Sequence, residues 1–467
     1  MNRSAQLDEL ARPASPALRA DPLADATIAR ILRACDAAGP DHAPVAGLAL
    51  VNSQLAQWSS NGGLRSWRAD SSVPAPVAAA LEEYVAAALA LPDWADPVQI
   101  ARAETVFMDM SMLSCTLLFC SSLPQCYVLP ELAGVLHVAG QLEQHTDYRI
   151  RATAAMIFPV MLRDGLTGDA GGGVAQVLKV RLIHAMIRHL VLRGEPGAPA
   201  QEGGPVRIAA RASASTGGGL HQALYDQGWD SERDGLPCNQ EQLAYTLLTF
   251  HYAFLRGLRQ LGLGLPSDDE QAYMHAWNVV GHLLGIERGL MVDTMDQAEA
   301  LFTRMQAAAI DARPVPDSRP LLAQALIKTM ENEIPLRILK PFPVLLTRYL
   351  CGRRTSGMLG MNGPVSWLSQ LLFVGTMLLV RGIDTSVRLV LPGFSISRMV
   401  SRAVGYRLTA RILMDQTRPL RLPATLRQEV NAAMHKWHTD RQAPRWMNKL
   451  EARLAGRNGK PAPEGAA

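Results

Sequence analysis

A histidine set among apolar residues and bracketed by two arginines is the arrangement in this sequence best suited to chemistry. In the stretch Lys179 to Val191, KVRLIHAMIRHLV, Leu182, Ile183, Met186, Ile187 and Leu190 recur at helical spacing, and Val180 and Val191 widen the stripe. His184 falls at the edge of that stripe. Arg181 lies one turn before it and Arg188 one turn after, on the same side of the helix. A neutral imidazole beside an apolar surface can ligate the iron of a b-type haem, and two flanking guanidinium groups can pair with its propionates. The same pattern is met by a core histidine hydrogen-bonded to a backbone carbonyl and flanked by solvated arginines. The helix alone leaves both readings open.

Other candidates flank it. Arg149 and Thr153 stand four residues apart on one helical face, with Arg151 on another. Downstream, His275, Trp277 and His282 mark a helix in which Gly281 permits close backbone approach. His282 competes with His184 as an iron ligand. Its alternative role, and that of His275, is a core histidine hydrogen-bonded to backbone. His251 and His189 are weaker candidates, His189 as a supporting or surface residue. No CxxC or HExxH occurs, which argues against zinc, and GxGxxG, GxxxxGK[ST] and GxSxG are absent too.

The elements that must position these residues are helical throughout. Residues 1–24 read as an irregular arm, and Asp25 can cap a helix to about Ala37. Helical pattern resumes in GLALVNSQLAQW and PAPVAAALEEYVAAALAL. A long apolar segment follows Pro97, to be stopped by Pro124. Glu131–Ala139 and Thr146–Leu162 give two more helices, the second kinked or ended by Pro159. Gly165, Gly168 and Gly171–Gly173 read as a flexible connection into the His184 helix. Residues 194–219 read as a surface insertion. Asn239 can cap a helix from Gln240 to about Leu261, MHAWNVVGHLLGI forms the next, and Thr294–Ala309 reads as capped and amphipathic. Helical pattern continues through LLAQALIKTMENEI and FPVLLTRYLCG. The strongest apolar run, Val365–Arg381, reads as a buried core helix, with a helix lying on a membrane surface as the alternative; Arg381, Arg388, Arg398 and Trp367 fit an interfacial placement.

Composition bounds the answer. A chain of 467 residues, 48% hydrophobic and with only 6% aromatics, builds a large core from Leu, Ala, Val and Met, which suits an all-α fold. Six cysteines in this length are no disulfide framework, and Cys115, Cys120 and Cys126 read as reduced core residues. The net charge of +4 and the lack of basic runs interleaved with aromatics argue against nucleic-acid binding. The N-terminal residues have no apolar signal region, so a cytoplasmic protein is expected.

Five segments in order carry a family resemblance: SLPQCY at Ser122–Tyr127, RxxxT at Arg149–Thr153, RLIHAMIR at Arg181–Arg188, GLPCNQEQLAYTLLTF at Gly235–Phe250 and HAWNVVGHLLGI at His275–Ile286. Together they cover roughly residues 95–310. The chain thereby resembles the latex-clearing-protein or rubber-oxygenase family, which includes the MpaB-type oxygenases. The resemblance implies a single large helical domain with a globin-like core holding one haem b. His184 would be the iron ligand, and Arg149 and Thr153 would line or support the haem pocket. It further implies dioxygen as co-substrate and a small apolar, isoprenoid- or lipid-like substrate, with a non-catalytic haem- or lipid-binding protein as the alternative. Rubber-cleaving members place a lysine before the threonine; here Ala152 stands there. Their carboxylate base has only positional candidates, Glu131 and Glu143. The implied organisation is an N-terminal helical extension over 1–94, a catalytic core over 95–310, a C-terminal helical part over 311–455 and a polar tail over 456–467.

Overall fold

The structure, a computed structural model, describes residues 15–37, 44–139, 146–194, 205–211, 224–226, 228–310, 317–332, 334 and 336–390. Its helices in order are α1 (Pro22–Ala37), α2 (Pro44–Leu55), α3 (Asn61–Arg65), α4 (Ala75–Ala88), α5 (Pro97–Leu117), α6 (Leu123–Cys126), α7 (Pro130–Ala139), α8 (Thr146–Met161) and α9 (Gly173–Arg193). They continue with α10 (Ser231–Asp234), α11 (Gln240–Phe250), α12 (Tyr252–Gln260), α13 (Ser267–Leu283), α14 (Met295–Ile310), α15 (Arg319–Asn332), α16 (Phe342–Met358) and α17 (Trp367–Val390). The fold is all-α. The strands among the described residues are β1 (Arg207–Ile208) and β2 (Trp229–Asp230), which pair antiparallel.

Local chemistry accounts for most helix starts. Asp96 accepts from the amide of Val98 at 2.8 Å, with Pro97 at the first helical position of α5. Asn239 accepts from Gln242 at 2.9 Å to start α11, and Thr294 accepts from Gln297 at 3.3 Å to start α14. The first helix begins earlier than expected, at Pro22. Asp21 takes the capping role by accepting from the Leu23 amide, and Asp25 lies in the first turn.

Helix α9 is the middle of the molecule. It packs between α8 and α1, and α13 meets both α9 and α5. Buried side chains from Ala24 to Met361 form one apolar cluster. Neither residue 94 nor residue 310 is therefore a packing boundary: the segment expected as an N-terminal extension supplies one wall of the His184 helix.

Three expectations change. Pro124 does not stop the long apolar helix. α5 passes into a π-helical turn, Leu118–Ser122, all five residues buried, and then into α6, where Pro124 stands in the first turn. Part of the 194–219 insertion is ordered as β1. The glycine-rich connection is a packed clasp rather than a flexible link. Asn61 Nδ2 donates to the carbonyls of Gly165 and Gly168, both at 2.9 Å, and Asn61 N donates to Gly171 O at 2.7 Å. A Cβ on Gly165 would sit 2.1 Å from Pro159 O, so only glycine fits. Pro159 itself lies two residues from the end of α8, as expected.

The clasp is held from below by Glu104 of α5. Its buried carboxylate accepts from the amides of Asp164 (3.0 Å) and Gly165 (3.2 Å), and burial pushes its pKa up to about 7. The unfolded chain releases this proton near 4.5 while the folded chain keeps it to about 7, so the group's contribution to stability falls as pH rises across that window. Glu104→Gln, which carries no titrating proton, should flatten the stability profile there. Glu104→Leu leaves the buried Gly165 amide and the part-buried Asp164 amide without an acceptor and should cost about 1–3 kcal/mol. Urea unfolding across pH checks both.

Candidate functional site

His184 projects from the middle of α9. Its ring is half-buried, and Nδ1 is sealed from solvent with no hydrogen-bond partner among the described residues. Burial, with the Arg188 charge adding to it, pushes the imidazole pKa down to about 4, so the ring is neutral at physiological pH. The carbonyl-bonded core histidine of the alternative reading is not what the described residues present. A neutral imidazole has a nitrogen lone pair to offer a metal, and the sealed Nδ1 leaves Nε2 as the nitrogen able to offer it.

Neither flanking arginine is solvated. Arg181 grips Asp21 through Nε and through Nη2 (2.8 Å), and its Nη1 donates to Leu283 O at 3.3 Å. Arg188 Nε donates to both carboxylate oxygens of Asp25, at 2.9 and 3.1 Å, while Nη1 donates to Pro237 O (2.9 Å) and Cys238 O (2.7 Å). Both aspartates come from the start of α1. Where the sequence reading paired Arg181 and Arg188 with haem propionates, the structure shows both bonded to carboxylates and carbonyls inside the protein. They act as braces that fix the register and rotation of α9 against α1, α11 and α13.

These braces draw the sequence segments together. Gly285, at φ +81°, lies so close to the Asp21–Arg181 pair that a Cβ would meet Asp21 Oδ2 at 2.6 Å. Gln240, wholly buried, donates to Gly285 O at 2.8 Å and accepts from Glu287 N at 2.9 Å. Gln125 ties the first segment in: its carbonyl accepts from Tyr245 Oη at 2.8 Å, and its side chain accepts from Gln306 at 2.6 Å. Gly281 receives Leu247, whose Cδ2 would lie 2.8 Å from an added Cβ, the close approach expected of it.

The remaining candidates fall out as follows. Thr153 is half-buried on α8, which packs along α9. Arg149 and Arg151 lie on α8 by backbone, and their side chains fall outside the described residues, as do Ala152 and Glu143. His282 is exposed rather than a core residue, and lies edge-on to Trp94 in a cavity of about 350 Å³ with Arg181 and Asp21. His275 accepts from the Asp96 amide at 2.9 Å, a backbone bond as expected. His189 faces the Asp25 carbonyl at 3.2 Å. Glu131 is half-buried rather than exposed, its pKa raised by burial, in a second cavity of about 340 Å³ shared with Asp234 and Glu241. His184 lines neither cavity.

Two residues were undervalued in the sequence. His251 is 1% exposed, with neither ring nitrogen partnered among the described residues, and burial pushes its pKa down to about 3. It stands where α11 breaks before α12, a break that the continuous apolar pattern from Gln240 to Leu261 conceals. Lys179, in the first half of α9, is half-buried, and burial lowers its pKa to about 8.

With this geometry in place, the comparisons with known proteins are decisive for family. Residues 126–382 match the family described as ER-bound oxygenase mpaB/B'/Rubber oxygenase, catalytic domain. The chain belongs to that family. It is 23% identical over 311 residues to the rubber oxygenase of Streptomyces sp. (strain K30), an alignment covering 67% of this chain and 66%, just under two thirds, of that relative. The fold is similar to that of latex clearing protein LCP in its closed state, with a TM-score of 0.57, 19% identity and 91% of each chain covered. The family match runs through α9, the two braces and α17, and it leaves out α1, which supplies both aspartates.

Asp21→Ala should lower stability by about 3–5 kcal/mol, because it strands the Arg181 charge in a buried position. Joint replacement by Leu at Asp21 and Met at Arg181 should recover most of that loss, and chemical denaturation of the two variants measures the difference.

Proposed function

We propose that this protein is a haem b-dependent oxygenase that uses dioxygen to oxidise a small apolar substrate of isoprenoid or lipid type, with His184 as the iron ligand. The observation that carries this reading is the His184 imidazole, held neutral, with its buried Nδ1 unpartnered among the described residues, on a helix immobilised from three sides. Family membership supports the oxygenase class.

The residues present fit the group. When bound, haem b supplies redox-active iron that makes dioxygen reactive toward a carbon–carbon double bond or an allylic carbon. The chain supplies the rest. Burial keeps the His184 lone pair free of protons well below neutral pH. Leu182, Met186 and Leu190 bury their side chains behind it and hold its backbone rigid. Arg181 and Arg188 stop α9 from rotating or sliding, since either movement would break charge-assisted bonds at both ends of the turn that bears His184. Thr153 on the adjacent helix would line the haem side of α9, and Arg149 would supply a cation for a propionate. The apolar wall comes from α5 and α8, where Phe107 meets Phe158 edge-on at 5.9 Å and Ile157 is buried beside it.

A second reading rests on His251, which is more deeply buried than His184 and lacks partners on both nitrogens among the described residues. In that case His251 would be the ligand. His184→Ala should abolish haem retention and the Soret band of the purified protein, while His251→Ala should retain near-stoichiometric b-type haem by pyridine haemochrome analysis. The opposite pattern would transfer the assignment to His251. A chain that takes up no haem at all would remove the mechanism. Dioxygen uptake with an apolar alkene separates an oxygenase from a haem- or lipid-binding protein without turnover.

A further inference from the structure

Helix α17 was expected to be buried, and the structure corrects this: it turns an apolar face outward. Its inner side meets the body, where Ser369 Oγ donates to Ile338 O at 2.9 Å and Phe373 packs edge-on to Phe342 at 5.6 Å. On the opposite arc Trp367, Leu371, Val374 and Leu378 recur at spacings of four, three and four. Trp367 is 74% exposed, Leu371 60% and Leu378 66%. Leu336 and Ile338, on the segment that meets the inner side at Ser369, are exposed as well. Scattered exposed leucines need no explanation, but a contiguous face of this kind marks an interaction surface.

Charge identifies the partner. From Val365 to Val380 the helix carries no ionisable residue. Around it, between Glu333 and Asp384, the sequence has Arg337, Lys340, Arg348, Arg353, Arg354 and Arg381 and no carboxylate at all. These cations exceed the +4 of the whole chain, so the remainder is net acidic. Arg348 and Arg381 bond to backbone carbonyls of Met361, Gly363 and Gln260, not to carboxylates, and Arg337 and Arg353 are exposed. An apolar helix face whose flanking sequence, from Arg337 to Arg381, carries cations and no carboxylate suits an anionic lipid surface. Two copies meeting face to face would bring the cationic rims together. The apolar stretch Trp367–Leu379 spans about 18 Å, short of the roughly 30 Å hydrocarbon core, and no single described helix is long and apolar enough to cross a membrane.

We propose that α17 lies in the plane of an anionic lipid bilayer, with its Trp367–Leu379 face at the acyl boundary and the surrounding cations on the headgroups. This is independent of the haem assignment, and its test reads no activity. The full chain would be floated with vesicles of phosphatidylcholine alone, or of phosphatidylcholine and phosphatidylglycerol in equal parts. Binding to the mixed vesicles should exceed binding to the neutral ones at least tenfold and fall as salt screens the headgroups. The Leu371→Gln/Leu378→Gln variant changes only exposed side chains. It should keep the parent's circular dichroism and lose at least tenfold in binding. Acyl-brominated lipids should quench a tryptophan component that Trp367→Phe lacks. Binding unchanged in the double variant, or absent from both vesicle types, would overturn the proposal. So would a lipid-independent dimer abolished by the double variant, which would assign the face to a second copy.

Discussion

Two carboxylate–guanidinium pairs govern the architecture. Asp21 with Arg181 and Asp25 with Arg188 join the first long helix to the ninth across about 160 positions of sequence. Each side chain is wholly or partly removed from water, so each pair is stable only while its partner is in place. The spacing matters as much as the charge. The aspartates are four residues apart on α1 and the arginines seven apart on α9, so the two helices are pinned at two points and cannot slip past each other. His184 lies between the pinned points. The remaining polar ties, through Gln240, Gly285 and the carbonyls of Pro237 and Cys238, extend the same lock to α11 and α13.

What the sequence disclosed was what is written locally. The helix around His184 follows from a 3.6-residue apolar period, and the starts at Asn239 and Thr294 follow from side chains that satisfy amides two or three residues on. The all-α class, the close approach at Gly281 and the reduced core cysteines at 120 and 126 also follow from short-range chemistry. The arginines show the limit. Their spacing announced a cationic pair on one helical face, but whether those cations meet water, a cofactor or a carboxylate depends on residues that are remote in sequence. The glycines before α9 misled for the same reason. Composition makes them flexible in isolation, and Asn61 and Glu104 make them rigid in the fold.

Other features were hidden by continuity. The apolar pattern from Gln240 to Leu261 does not break at His251, although the backbone does, because the residues on both sides are buried against the same core. The outward face of α17 was invisible for a different reason. Periodicity reports which residues are apolar, not which of them find a neighbour, and a run that would pass for a core helix stands at the edge of the body instead. The family match likewise reaches α9 but not the helix that braces it, so the carboxylates of Asp21 and Asp25 lie outside the shared segment.

The clasp between Asn61 and the glycine turn has a consequence for how the chain is made. Asn61 cannot close on Gly165, Gly168 and Gly171 until the ribosome has added about 110 further residues, which at ordinary elongation rates takes roughly 5–20 s. Throughout that interval α1 has been synthesised but lacks α9, against which it packs, and α4, made part-way through it, has α1 to pack on. A nascent chain with such long-range closures has a high contact order and folds late. The sides of α1 and α4 that do not meet each other therefore stay uncovered while translation proceeds, an interval of hydrophobic exposure set by the spacing of the clasp.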